Sequence, residues 1–401
     1  MIQNTSDGTV GTPSEGWTVV EIVSSIAPES FGLGYAALNL AAALDRNGAN
    51  TFLVSVDKSQ VAYQACEEAR FPRDRLICGP LLPPQRFRFS PGLIGLALKI
   101  PHKGKVITHL HGLWTYVSYL AGSLRKSWQC PMVVSPHGSL EPYALKISPR
   151  KKGLASMLFE RTNLMTASCI WALSQQEEES VRTYGYNGRV QIIPNGVNDA
   201  IPCSADEVTD FRSRHKITAD HRIMLFLSRI APKKNLSLLL KTFALNLKQS
   251  PNWILVIAGS DEGGHIHEVQ ALIQTLGIGA FVRIIGQVTG KEKALAFTSA
   301  SFFVLASHSE GLPIAVLEAM AYSRPVLVTD SWTLPVQTSA RLGWRVQLDE
   351  CAFSDVLLEA MSTSDEDRTA MGQEARAVVQ QHFGWDSIAT QACELYSSLL
   401  A

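Results

Sequence analysis

Ser307-His308-Ser309-Glu310-Gly311-Leu312-Pro313, followed by Glu318-Ala319-Met320-Ala321, is the most telling part of this 401-residue chain. The run just before it, Phe302-Phe303-Val304-Leu305, is wholly apolar and reads as a buried strand. Gly311 supplies a tight turn. Pro313 suits the first position of a helix, where its missing N–H costs nothing. A helix N-terminus there presents unpaired N–H groups and a partial positive charge, which together seat a phosphate. Glu310 precedes the helix, and Glu318 lies five residues past Pro313, roughly 7.5 Å further along the axis at ~1.5 Å per residue. An anion at the tip then has a carboxylate on either side. Carboxylates are poor phosphate partners but good acceptors for sugar hydroxyls. A hydroxyl-rich group, phosphates and a ribose in series fit that layout, which is the make-up of a nucleotide-sugar. Taken alone, the two glutamates fit a solvated helix surface equally well. The rest of the chain decides between the two.

The length exceeds what a single core usually fills, so two domains are expected. With 46% hydrophobic and 18% charged residues and no net charge, the composition is globular and gives no basic excess to argue for nucleic acid. The seven cysteines are scattered without a CxxC pair, which reads as reduced thiols in a cytosolic protein, not a disulfide framework or zinc site. No apolar run approaches the ~18 residues that span a bilayer. Met1 to Gly16 is polar, lacks the regions of a signal peptide, and is expected to be disordered.

Short apolar runs alternate with amphipathic stretches. Strands are expected at Thr18–Val23, Thr51–Val56, Val106–His111, Met132–Pro136 and Val190–Pro194, with a helix over Tyr35–Asn47. Asn195-Gly196-Val197-Asn198-Asp199 and Pro202 break the rhythm. It restarts with strands at Ile223–Ser228, Trp253–Ala258, Val282–Ile285, Ser301–Leu305 and Pro325–Val328, and a helix from about Leu236. Two doubly wound α/β halves follow, joined near residues 195–205, with ligands expected at strand carboxyl ends in the cleft between them.

Four constellations carry chemistry. Arg229 and Lys234 bracket a Pro-containing turn after the first strand of the second half, where a diphosphate could be held from two sides. An isolated pair of this kind is a solvated basic turn; its place at a strand end favours the clamp. Gly32 and Gly34, in a loop after the first strand, permit close backbone approach to a phosphate or sugar, but lack the third glycine of a dinucleotide fingerprint. Thr108-His109-Leu110-His111-Gly112 and Ser135-Pro136-His137-Gly138-Ser139 each end a strand of the first half. His109 and His111 share a strand face, and no third metal ligand is evident. Gly286-Gln287-Val288 forms a turn whose backbone suits a base edge. His265 and His267 receive no role.

In this order the motifs resemble the retaining glycosyltransferases of the GT-B fold, family 4 (glycosyl transferases group 1), across nearly the whole chain. Ile193-Pro194-Asn195-Gly196-Val197 is similar to that family's interdomain junction, and Phe383-Gly384-Trp385 with Tyr396 to its closing helix. Pro136-His137-Gly138-Ser139-Leu140-Glu141-Pro142-Tyr143 resembles the branch of bacterial surface-polysaccharide assembly. The resemblance implies two Rossmann-like domains, an acceptor-binding one over 1–200 and a nucleotide-sugar-binding one over 201–383, with a helix over 384–401 packing back on the first. Carried over by position, Arg229 and Lys234 hold the donor diphosphate and Glu318 the ribose. Glu310 contacts the donor sugar, with the Gly311-Leu312-Pro313 backbone on sugar and phosphate. Gln287 and Val288 meet the base, Gly32, Gly34 and Gly259 lie at the donor, and His137 is near the reacting sugar. His109 and His111 are candidates on the acceptor side. Phe31, Arg324 and Ser331-Trp332-Thr333 depart from the family's usual glycines.

The implied activity is transfer of a hexose from a UDP- or GDP-sugar to a saccharide or lipid-linked saccharide, with retention of configuration and no metal or other cofactor. Front-face attack is expected, the departing phosphate taking the acceptor's proton. Basic clusters at Arg86-Phe87-Arg88 to Lys99, Lys103 and Lys105, and at Lys146, Arg150, Lys151 and Lys152, suit either a solvated face or peripheral contact with an anionic inner membrane surface. Three rivals remain at this point: a nucleotide-sugar epimerase of the same architecture, a non-catalytic nucleotide-sugar-binding subunit, and a dehydrogenase disfavoured by its incomplete glycine fingerprint.

Overall fold

The computed structural model describes residues 16–27, 31–102, 104–310, 312–330, 334, 336 and 338–401. Residues 1–15, expected to be disordered, and Lys103 and Ser331-Trp332-Thr333 lie outside the described residues. The chain forms two compact units, Met1–Gly196 with Trp385–Ala401, and Val197–Gly384. The division falls four residues earlier than the one read from the turn-rich break.

The first unit is built on seven parallel strands: β1 (Trp17–Val23), β2 (Asn50–Val56), β3 (Leu76–Gly79), β4 (Lys105–His111), β5 (Met132–Ser135), β6 (Cys169–Ala172) and β7 (Val190–Ile192), in the order β3-β2-β1-β4-β5-β6-β7. Both faces are covered, which is why these strands are apolar almost throughout. Val20, Ile22, Val54, Leu110, Val134 and Ile170 pack on one side with the helix Tyr116–Trp128. On the other, Val19, Ile107, Val133 and Cys169 meet the helices Phe31–Arg46 and Trp385–Leu400. The latter buries Trp385, Ile388, Ala389, Ala392, Cys393 and Tyr396, spaced three or four apart on one face. Gly196 is required here: a Cβ would sit 2.4 Å from the Trp385 ring.

The second unit has six parallel strands: β8 (Arg222–Leu227), β9 (Trp253–Ala258), β10 (Val282–Gly286), β11 (Phe302–Leu305), β12 (Val326–Thr329) and β13 (Gly343–Val346), in the order β10-β9-β8-β11-β12-β13. Strand order reverses between β1 and β4 in one sheet and between β8 and β11 in the other. The crevice beyond such a switch point is where open α/β sheets bind ligands. Arg229–Lys234 follows β8 and Ser307–Pro313 follows β11, so both loops stand at that position.

Three strands escaped the sequence reading. β3, β6 and β13 are as short as Phe302–Leu305 but of mixed composition: Gly79 ends β3, Cys169 and Ala172 bound β6, and β13 interrupts its apolar pattern with Arg345. The glycine loop also needs correcting. Gly32 and Gly34 lie in the first turn of the helix Phe31–Arg46, which begins four residues before the expected Tyr35. Glycine weakens a helix by up to ~1 kcal/mol, but the buried face from Gly34 through Leu44 carries the turn.

Candidate active site

Three loops of the second unit, those after β8, β9 and β11, are laced together. The Ile230 N–H bonds Ser260 O (2.8 Å), and the His308 N–H bonds Lys233 O (2.9 Å). Pro232–Lys234 forms one 3-10 turn, closed by Asn235 in a left-handed conformation at φ 52°. The same asparagine caps the helix Leu236–Asn246, accepting from the Leu238 N–H. This turn directs Lys234 inward. Its Nζ lies 2.6 Å from Glu310 Oε1, and the Ser307 hydroxyl donates to the same oxygen at 2.5 Å. Thr329 Oγ1 donates to the Ser307 carbonyl, holding that loop to the end of β12. Lys234 and Glu310 are only 8% and 9% exposed, so each is the other's main compensation for lost water.

The helix after this loop is Ile314–Ala321. Pro313 is its N-cap and not its first residue, so the helix begins one residue later than expected, and among the described residues no side chain caps it. Its first amides are thus not claimed by a side chain, as an anion seat requires. Leu312 is half-buried against the core and Pro313 is buried, while Gly311 lies outside the described residues. Glu318 is buried on this helix and bonded to Lys293 Nζ at 2.5 Å. Lys293 belongs to the helix Gly290–Ser299 and had no part in the sequence reading.

Arg229 stands apart from Lys234. Its side chain is 54% exposed and pairs with Glu262 at 2.8 Å. Gln287 is exposed just past β10, and Val288 packs against the core. Gly259 has a backbone reason of its own: at φ +150° a Cβ would lie 1.8 Å from Ser228 O.

In the first unit, β1 sits in register with β4, placing Glu21 beside His109. Glu21 is fully buried. Its Oε2 lies 2.6 Å from His111 Nε2 and 3.0 Å from His109 Nδ1, and its Oε1 accepts from the Tyr396 hydroxyl at 3.0 Å. Burial pushes its pKa up, but the histidine donors outweigh that and leave it at about 2. His109 also bonds Tyr396 Oη (2.7 Å) and Ser135 Oγ (2.8 Å), and stacks on Trp171. It is fully buried, packed in the core of the first unit. His111, 2% exposed, passes its Nδ1 to His137 Nε2 at 3.0 Å. Burial and the neighbouring His109 push His111 down to about 4. Burial, then His111 and His109, hold His137 well below the ordinary histidine value.

Glu21, His109 and His111 offer ligand atoms within 4.8 Å of one another. Two ligands bound at ~2.0–2.1 Å on a tetrahedral ion stand about 3.3 Å apart. The 2.6 Å between Glu21 and His111 is a shared proton's spacing, not that of two ligands.

His137 itself has a left-handed backbone, φ 50°, followed by Gly138 at φ 75°. Glu177 holds this turn, accepting from the Gly138 N–H (2.6 Å) and the Leu173 N–H (2.7 Å). The loop after β4 is tied similarly: the Trp114 N–H donates to Glu160 Oε2 at 2.6 Å. Glu160 is fully buried, and burial pushes its pKa up to about 7.

Two family models cover most of the chain: "Glycosyl transferase 4-like domain" over residues 31–196 and "Glycosyl transferases group 1" over residues 207–378. The chain belongs to the group 1 family of GT-B glycosyltransferases. It is 29% identical over 308 residues to a D-inositol 3-phosphate glycosyltransferase of Streptomyces avermitilis, an alignment spanning 73% of this chain but just under two thirds (65%) of that relative. It is 23% identical to GDP-mannose:cellobiosyl-diphosphopolyprenol alpha-mannosyltransferase of Xanthomonas campestris, covering 78% of each. Among solved structures, Anabaena Alr3699/HepE in complex with UDP and glucose superposes with a TM-score of 0.74 at 16% identity, covering 95% of this chain and 99% of that one. WaaG, a glycosyltransferase involved in lipopolysaccharide biosynthesis, gives 0.65 at 16%, with 95% and 99% covered. At such identities the structural likeness shows the GT-B fold and nothing finer.

Glu21, Ser307 and Lys293 were not assigned roles from sequence. A signal existed for the first: a carboxylate inside Val19-Val20-Glu21-Ile22-Val23 has no apolar reason to be there, and a buried charge demands partners.

Proposed function

We propose that this protein transfers a hexose from a UDP- or GDP-sugar to a saccharide or lipid-linked saccharide, with retention at the anomeric carbon. The observation carrying the reading is the buried Lys234–Glu310 pair at the start of the helix Ile314–Ala321, which no side chain among the described residues caps. A cation, a carboxylate and the helix's first amides would meet one ligand's charge and hydroxyls there. In the reaction, the bond from the anomeric carbon to the diphosphate oxygen breaks and a bond to the acceptor oxygen forms on the same face. The acceptor's proton passes to the departing phosphate. Lys234, Arg229 and the helix N-terminus stabilise the charge that builds on the leaving group. Glu310 receives a sugar hydroxyl, Glu318 the ribose, Gln287 and Val288 the base, and His137 the sugar. Two basic side chains supply the diphosphate's counter-charge, so no divalent metal is required.

The acceptor side includes a membrane-facing surface. Ile147, Leu154, Met157 and Leu158 are 53–75% exposed, unusual for apolar side chains, and Lys146, Arg150 and Lys151 are exposed beside them. From residue 150 to 158 these lie at helical spacing on one face, basic and apolar together, as an anionic lipid surface requires. Lys152 turns inward instead, bonding Ala144 O and lying over the Trp114 ring. No helix among the described residues is long and apolar enough to cross a membrane; the contact proposed is a peripheral one.

The deciding experiment measures nucleotide release from UDP-, GDP- and ADP-sugars without metal, with and without a lipid-linked saccharide extract. Donor-dependent release that rises with the extract supports the reading. Binding without release, beside a competent control enzyme, moves the assignment to a binding subunit. Interconversion of the sugar without an acceptor makes it an epimerase.

A further inference from the structure

We infer that Glu21, acting through His111, is a positioning residue that holds His137 protonated on Nε2, so that the ring offers a ligand its Nδ1 lone pair. The functional consequence rests on the proposal that His137 meets the sugar. The relay rests on geometry within the first unit.

An ionised carboxylate only accepts hydrogen bonds. Glu21 Oε2 lies 2.6 Å from His111 Nε2, so that nitrogen carries the proton. A neutral His111 then has a bare Nδ1, 3.0 Å from His137 Nε2. Two lone pairs do not face each other at that distance, so His137 Nε2 bears a proton. Its Nδ1 is left bare, with no hydrogen bond among the described residues.

Both ends of the relay are fixed. Glu21 is saturated by Tyr396 on Oε1 and by His109 and His111 on Oε2. The His137 turn is held by the Glu177 bond to the Gly138 N–H. His137 therefore receives a hydroxyl hydrogen and does not donate one. A sugar lacking that hydroxyl loses the contact, the direction in which built polar sites discriminate best.

The test is long-range ¹H–¹⁵N spectroscopy of the full chain labelled with ¹⁵N-histidine at pH 7, resonances assigned by single histidine substitutions. The expected result is a protonated His137 Nε2 coupled across the hydrogen bond to an unprotonated His111 Nδ1. The reverse polarity, or a cationic His137, overturns the inference. Two variants separate relay from packing. Tyr396→Phe removes a bond to Oε1 and keeps the His137–His111 coupling. Glu21→Leu removes the acceptor and loses that coupling, with kcat/KM down about tenfold, the size of one hydrogen bond. Equal loss in both variants makes the cluster merely structural. If Glu21→Leu does not fold, the wild-type polarity still decides. The coupling without turnover of any donor leaves the relay standing and retires the transferase reading; turnover with reversed polarity does the opposite.

Discussion

Glu160 makes the stability of the first unit fall as pH rises, and Glu160→Gln removes that dependence. The carboxyl is fully buried, accepts the Trp114 N–H through Oε2, and has no hydrogen bond to Oε1 among the described residues. Burial raises its pKa from 4.5 to about 7. A carboxyl raised in the folded state stabilises fully below the unfolded value of 4.5, and that stability is lost as pH climbs through 7. At ~1.4 kcal/mol per tenfold, the loss amounts to ~3 kcal/mol by pH 8. Glutamine has the shape of the protonated acid and keeps an acceptor for Trp114 N–H, so it retains the acid-side stability at all pH values. The assay is urea unfolding of wild type and Glu160→Gln at pH 5, 6, 7 and 8. The difference between the two proteins cancels every other titrating group. It should be about 1 kcal/mol at pH 5 and approach ~3 kcal/mol at pH 8, both in the variant's favour, the latter about 6–12 °C in Tm for a unit of this size. A difference that stays flat across the range would falsify the assignment of a proton to Glu160 at neutral pH.

Lys234→Ala is expected to reduce turnover ~10²–10³-fold, the usual cost of one leaving-group donor, measured as nucleotide release. Because it also strands the Glu310 carboxylate, its stability should fall by about 3–5 kcal/mol, and Lys234→Ala/Glu310→Gln should recover stability without activity. Turnover within a few-fold of wild type in the single variant excludes Lys234 from the diphosphate. Gly259→Ala should lower Tm sharply, since its Cβ collides with Ser228 O; lost activity with an unchanged Tm would make the glycine a ligand contact instead. Flotation with liposomes should need anionic lipid and weaken in Met157→Glu/Leu158→Glu. No binding to either lipid removes the membrane surface.

The architecture was legible because parallel strands buried on both faces leave apolar runs. Val106–His111 and Trp253–Ala258 could hardly be anything else. Short strands of mixed composition such as Cys169–Ala172 lack the run of large apolar residues that marks the equally short Phe302–Leu305. At the site, the residues after β8 and β11 were legible from their loops. What the sequence hides is pairing. Nothing local distinguishes Arg229, which faces Glu262 in solvent, from Lys234, which is buried on Glu310. His109 and His111 look alike in sequence, yet stacking on Trp171 takes one into the core while the other reaches His137. Glu21 was visible as an anomaly, but its three donors come from β4 and the closing helix and are fixed only by tertiary register.

That closing helix gives the chain an unusual order of assembly. The second unit, Val197–Gly384, is an insertion between two parts of the first. Domains usually settle in the order they leave the ribosome. Here the later unit can finish while the earlier one still shows the greasy flank of Phe31–Arg46 to the cell. Glu21 must wait 375 residues for the Tyr396 hydroxyl. Translation arrested anywhere before that helix leaves a charge walled into an unfinished sheet, an incomplete product that quality control can recognise by its open side.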